Sequence, residues 1–242
     1  MAKVVDIHTH VYPPSFMDIL RSRSTVPYVR SFPPDTTSRL IILPGEDSSD
    51  TPSTSRGRPI GAEYYDISHK IAFMDAHGID ISVISLANPW LDFLPEENAL
   101  ELAKVVNDEL NSLCAGHPGR LYAFGALPLS TSIPEIVQEV RRLRQLKYMR
   151  GVIMGTSGLG EGLDDPRLDP VWEALQETEQ TIFLHPHYGL PREVYGSRQS
   201  DYGHVLALAM GFVSSIRQPN VRLFGNALIL QNLLLTSPWK QQ

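Results

Sequence analysis

His8 and His10 stand two residues apart at the end of the run Val4-Val5-Asp6-Ile7-His8-Thr9-His10. The apolar residues before them read as a buried strand. Strand side chains alternate between faces, so both imidazoles point the same way. A second apolar run, Thr181-Ile182-Phe183-Leu184, ends on His185. Imidazole suits zinc and similar divalent ions, and three histidines leave a coordination position open for water or a substrate oxygen. His8, His10 and His185 are thus read as one metal constellation; a solvent-facing surface pair is the alternative for a His-x-His on its own. Asp6 lies one step deeper on the same face, placed to orient a ligand or to pack behind it. His187 shares the parity of His185, but Pro186 starts a loop between them, so it is read as substrate-facing or as an outer support. His69, His77 and His117 fall in or at the ends of helical patterns and are read as structural or solvated. His204 is open to either reading.

The elements that must position these residues alternate in kind. Short β-branched runs at Val4–His8, Ile81–Ala87, Leu121–Leu127, Gly151–Gly155 and Thr181–His185 predict buried parallel strands. Amphipathic patterns between them predict helices. Tyr65–His77 places Ile67, Ile71 and Met74 on one face, with Gly78 as its stop. Glu96–Ala115 places Leu102, Val106, Leu110 and Leu113 on one stripe, with Pro95 suited to the first turn. Pro134–Leu146 buries Ile136, Val140 and Leu143 behind a Ser132 cap, and Asp169-Pro170 opens Val171–Glu179 as cap and first residue. Strand–helix–strand units of this length predict right-handed crossovers and a parallel sheet. Five such units are visible, with Val221–Phe224 as a possible sixth strand; a closed barrel needs eight. Such a barrel gathers its strand ends around one lumen, which places His185 across from His8 and His10.

Two segments lie outside this pattern. Residues 11–63 form a long insertion after the first strand, with eight prolines. Its centre, Glu46–Arg56, is poor in apolar residues and is expected to be mobile. Leu40–Leu43 interrupts it as a small hairpin arm. The other segment is the tail, residues 213–242, which is leucine-rich and contains no acidic residue.

Bulk properties narrow the function classes. A chain of 242 residues with 42% hydrophobic and 20% charged residues predicts a single soluble domain spanning 1–242. A net charge of −6 without a basic run argues against nucleic acid and anionic membranes as partners. No stretch reaches the roughly 18 apolar residues of a membrane helix, and the first residues do not read as a signal peptide. The single cysteine, Cys114, excludes an internal disulfide and is expected to be buried. A cytoplasmic location is the expectation.

The motifs resemble the amidohydrolase-related family of metal-dependent decarboxylases, which includes aminocarboxymuconate-semialdehyde and γ-resorcylate decarboxylases. The match runs furthest with the fungal uracil-5-carboxylate (iso-orotate) decarboxylases. It passes through Asp6–Pro14, Gly57-Arg58-Pro59, Phe73–Asp75, Ser82–Trp90, Ala126–Ser130, Gly155–Gly160, Gly162–Pro166, Leu184–Pro191 and Tyr202–Leu206. It covers residues 3 to 212. The resemblance implies an α/β, amidohydrolase-type (β/α)8 TIM barrel, here incomplete at five or six strands. It also implies zinc or manganese on His8, His10 and His185, a homo-oligomer such as a dimer, and a small-molecule carboxylate substrate. Arg58 and Asn88 match substrate-contacting positions. Both make chemical sense, since Arg58 can pair with a carboxylate and Asn88 can bond a ring amide or hydroxyl. Together with His187 they form the expected catalytic and substrate-binding set.

The reaction implied is non-oxidative decarboxylation of an aromatic, phenolic or pyrimidine carboxylate, within fungal secondary metabolism. The family's Ala-His-Ser-Gly-Gly and late Gly-Thr-Asp contexts do not occur in these 242 residues. Two other readings therefore stand beside it. One is a metal-dependent hydrolase of a lactone or amide; the other is a truncated, catalytically impaired paralogue.

Overall fold

Five parallel strands form the main sheet, in the order β1 (Val5–His10), β5 (Ile81–Ser85), β6 (Leu121–Ala126), β7 (Met149–Gly155) and β8 (Thr181–His185). The computed structural model describes residues 3–155 and 158–185. Helices α3 (Ile67–His77), α4 (Glu96–Ala115), α5 (Ile133–Leu143) and α6 (Asp169–Glu177) make the crossovers. The strand order follows the chain order, as neighbouring βαβ units require. The expected sixth strand at Val221–Phe224 and the tail from residue 213 lie outside the described residues.

The sheet is strongly curled. Strands pack about 4.8 Å apart, so four intervals would separate flat β1 and β8 by about 19 Å. Yet His8 on β1 and His185 on β8 approach to 3.2 Å between their Nε2 atoms. The five strands therefore bend into a half-barrel, incomplete among the described residues, and their C-terminal ends face a common lumen.

Helix packing explains why the sheet holds this shape. α4 buries Ala99, Ala103, Val106, Leu110 and Cys114, and it packs against β6. The predicted stripe is therefore rotated: Leu102 and Leu113 lie at its half-buried margin, because small Ala99 and Ala103 allow close approach to the sheet. α5 behaves as expected. Ser132 and Glu135 form a reciprocal capping box, and Ile136, Val140 and Leu143 are fully buried. The buried thiol of Cys114 also matches expectation.

Three local expectations are corrected. The first long helix breaks, with α2 (Ala62–Tyr65) ending before Asp66. The Asp66 carboxylate accepts from Ser68 N at 2.9 Å and so restarts the chain as α3. Pro95 precedes α4 as its cap position instead of lying in its first turn. The cap position of α6 is Leu168, because Asp165 caps the preceding single turn, Pro166–Leu168, through Arg167 N. Gly78 ends α3 at φ 64 as predicted.

The insertion is an ordered arm. After α1 (Pro14–Ser22), β2 (Tyr28–Arg30), β3 (Arg39–Ile41) and β4 (Arg58–Pro59) form an antiparallel sheet. Val29, Leu40, Ile42 and Ile60 join the main core, while Tyr28, Phe32 and Ile41 make a small cluster of their own. The segment expected to be mobile is tied back at several points. Glu46 accepts from Ile42 N and Leu43 N, Tyr28 donates to Asp47, and Arg56 donates to the Thr51 and Ser49 carbonyls. Charged side chains bonding to backbone replace the apolar contacts whose absence suggested disorder.

Candidate metal centre

The three histidines meet. His8, His10 and His185 each present a ring nitrogen, and these atoms all lie within 4.8 Å of one another. Their ring centroids form a triangle with every side 5.1 Å. Two nitrogens bound to one tetrahedral zinc at about 2.1 Å stand about 3.4 Å apart; the His8 and His185 Nε2 atoms stand at 3.2 Å. The donor set fits a divalent ion.

The local backbone that delivers them is not a regular strand. β1 pairs Asp6 with Ser82 but Thr9 with Ile84, so it gains one residue on β5 in a bulge. The Asp6 carboxylate accepts from His8 N at 2.9 Å within this bulge. Asp6 thus holds the ligand-bearing backbone, a more specific role than its expected one. On the other side of β1, Lys70 of α3 donates to Thr9 Oγ1 and lies within electrostatic reach of Asp6.

The electrostatics favour a neutral imidazole at His10. Burial, followed by the neighbouring His185 and His8, lowers the pKa of His10 to about 3, against a smaller opposing backbone bond at Leu86. A metal ligand must be unprotonated, and this environment keeps His10 so. His10 Nδ1 lies 3.1 Å from Ser85 Oγ. With the proton on Nδ1, the ring donates to Ser85 and leaves Nε2 bare for an ion, the usual outer-partner arrangement.

Aromatic rings wall the site. The Trp90 ring meets His185 edge-on at 5.5 Å, and Phe183 contacts His8 at 5.2 Å and stacks on Phe124 at 5.4 Å. Asn88 lies three residues beyond the end of β5. Its carbonyl accepts from the Tyr12 hydroxyl at 3.1 Å. Arg58 sits on β4 opposite Leu40 and acts electrostatically on the same Tyr12 phenol, whose pKa is raised by burial and by Tyr64. Preceding Arg58, Gly57 has φ +54, and a Cβ there would fall 2.4 Å from both the Leu40 carbonyl oxygen and Ile41 Cδ1. Only glycine fits this turn, and it sets where Arg58 begins. His187 lies outside the described residues, as does His204.

Sequence reasoning missed Ser85, Lys70, Tyr12 and Trp90 as parts of this site. Ser85 and Trp90 had a signal, since Ser85 ends β5 and Trp90 follows Asn88 by two residues. Lys70 had none, because α3 reaches β1 only through the fold.

The chain belongs to the amidohydrolase family, whose model matches residues 5–214. It is 32% identical over 130 residues to a γ-resorcylate decarboxylase of Rhizobium radiobacter, covering 51% of this chain and 40% of that protein. The crystal structure of the Metarhizium anisopliae IDCase in apo form superposes with a TM-score of 0.83 at 50% identity, over 92% of this chain and 60% of that one. A 5-carboxyvanillate decarboxylase from Novosphingobium aromaticivorans, solved with bound manganese, shares the fold at 19% identity, with a TM-score of 0.62 over 94% of this chain and 64% of that one. This chain spans less than half the length of the curated relative and about three-fifths of the solved ones. The resemblance to the family's decarboxylases is borne out by these relatives, and a half-barrel of the expected class is observed. Among the described residues no helix is long and apolar enough to cross a membrane.

Proposed function

We propose that the protein is a metal-dependent decarboxylase, a carbon–carbon lyase acting on an aromatic, phenolic or pyrimidine carboxylate. The observation that carries this reading is the triangle of His8, His10 and His185 at the C-terminal ends of the half-barrel strands, within an aromatic wall. A divalent ion held by these histidines, manganese or zinc, supplies Lewis-acid polarisation of the substrate carboxylate. The chain's own residues do the rest. Arg58 pairs with the carboxylate and holds it at the lumen. Asn88 bonds a ring amide or hydroxyl and orients the ring. Trp90, Phe183 and Phe124 exclude water, which strengthens each of these contacts. A general acid delivers the proton that takes the place of the departing carbon dioxide, and His187 is read as a further substrate-facing side chain. The protein is read as cytoplasmic and dimeric, within fungal secondary metabolism.

The test is a panel assay on metal-stripped protein reloaded with manganese or zinc. 5-Carboxyuracil, 2,6-dihydroxybenzoate and 5-carboxyvanillate are each followed for carbon dioxide release. The expected result is release from at least one, lost on metal removal and lowered by at least about 100-fold in Arg58→Ala. Ring opening of a lactone or amide without carbon dioxide release would replace this reading with a hydrolytic one. Loaded protein inert on every compound would favour an impaired paralogue.

A further inference from the structure

We propose that Tyr12 is a positioning residue, whose hydroxyl holds the turn that carries Asn88 and Trp90 against the metal-ligating histidines. This rests on the reading of Asn88 as a substrate-holding side chain. Tyr12 follows His10 by two residues and is 3% exposed, so its phenol is shielded from a substrate. Its ring is clamped between Tyr64, stacked at 5.3 Å, and Phe16 at 5.4 Å, and its backbone N donates to the Tyr64 carbonyl at 2.7 Å. A ring held this firmly aims its hydroxyl in one direction, at the Asn88 carbonyl 3.1 Å away. One side chain just beyond the ligand strand therefore fastens the turn that follows β5.

The turn it touches reaches the metal ligands from the other side. Trp90 N donates to the Ala87 carbonyl at 3.1 Å, closing a turn around Asn88. Trp90 takes φ 48, an uncommon conformation for a residue with a large side chain, which the surroundings must hold in place. Its indole edge then rests on His185. Tyr12 thus holds the turn that presents Asn88 to a substrate and Trp90 to a ligand.

The test compares Tyr12→Phe, which keeps the clamped ring and removes the hydroxyl, with wild type as manganese-loaded full chain. Hydrogen exchange without substrate is expected to quicken at residues 86–92 by about threefold or more and to stay unchanged in β6. Manganese stoichiometry is expected to stay the same. On the carboxylate that wild type turns over, KM should rise about 3- to 10-fold with kcat within about twofold. Tyr64→Phe, which lends Tyr12 only its backbone and ring, should change none of these. Unchanged exchange at 86–92 would overturn the proposal. Faster exchange throughout the chain, or a Tm lower by more than about 10 °C, would also overturn it, since the hydroxyl would then serve general stability. The exchange arm decides on Tyr12 even if no carboxylate is consumed, an outcome that instead counts against the decarboxylase reading.

Discussion

All five residues of β5 are buried, and β6 and β7 are buried at every position but their second. β1 leaves Val5 41% and Ile7 51% exposed, and only one residue of β8 is fully buried. The histidines sit on β1 and β8, while the strands between them carry no imidazole at all. The same sheet therefore divides its work. Central strands, covered on both faces, provide the curvature. Outer strands, less covered and in one case bulged, provide the ligands. Among the described residues β1 and β8 bound the sheet, so their lower burial marks where the described sheet stops, while the buried strands between them set the curvature that brings the ligands together.

This contrast can be broken from either side. Ile84→Ala, at a fully buried position of β5, is expected to destabilise the protein by about 2–5 kcal/mol in denaturant unfolding, while the folded fraction still binds manganese stoichiometrically. His185→Ala should do the reverse. Metal affinity by titration should fall by more than about 100-fold, and the Tm of the metal-free protein should stay within a few degrees of wild type.

Asn107→Ala probes how the frame is fastened. Asn107 of α4 accepts from Ala126 N at 2.9 Å and donates to the Ala126 carbonyl at 3.0 Å and to Glu139 at 2.7 Å, all buried. It thus pairs with the end of β6 as another strand would. Its loss leaves the Ala126 backbone groups unpartnered, while Glu139 keeps Arg142, and should cost about 1–3 kcal/mol without altering metal affinity. Asp6→Ala should leave stability nearly unchanged but weaken metal binding about 10-fold, because the His8 backbone loses its partner in the bulge. Smallest of all, Ser132→Ala should cost about 1 kcal/mol through the α5 capping box, with no effect on the site.

Much of this was legible along the chain because it depends on neighbours in sequence. The apolar run into β1, the helical spacing of α5 and its Ser132–Glu135 box, and the end of α3 at Gly78 are local facts, and local facts have local signatures. The histidines at the ends of two apolar runs were readable for the same reason. The hairpin arm was legible, but the tethers of Glu46–Arg56 were not, because polar contacts such as those of Glu46 and Arg56 leave no periodic trace. The start of α3 at Ile67 and not Tyr65 was missed because a cap at Asp66 looks like another polar residue of the first turn.

The amino-acid sequence by itself determined which residues could bind a metal, the α/β alternation that carries them, and the family to which the chain belongs. Only the tertiary structure decided that His8 and His185, 177 positions apart, come within 3.2 Å. It alone decided that Asp6 supports a bulge and that the Tyr12 hydroxyl bonds the Asn88 carbonyl. The physical reason is range. Propensity and periodicity act over a few residues, whereas the curl of a sheet is the sum of all its packing, and the lumen where these side chains meet exists only once that sum is complete.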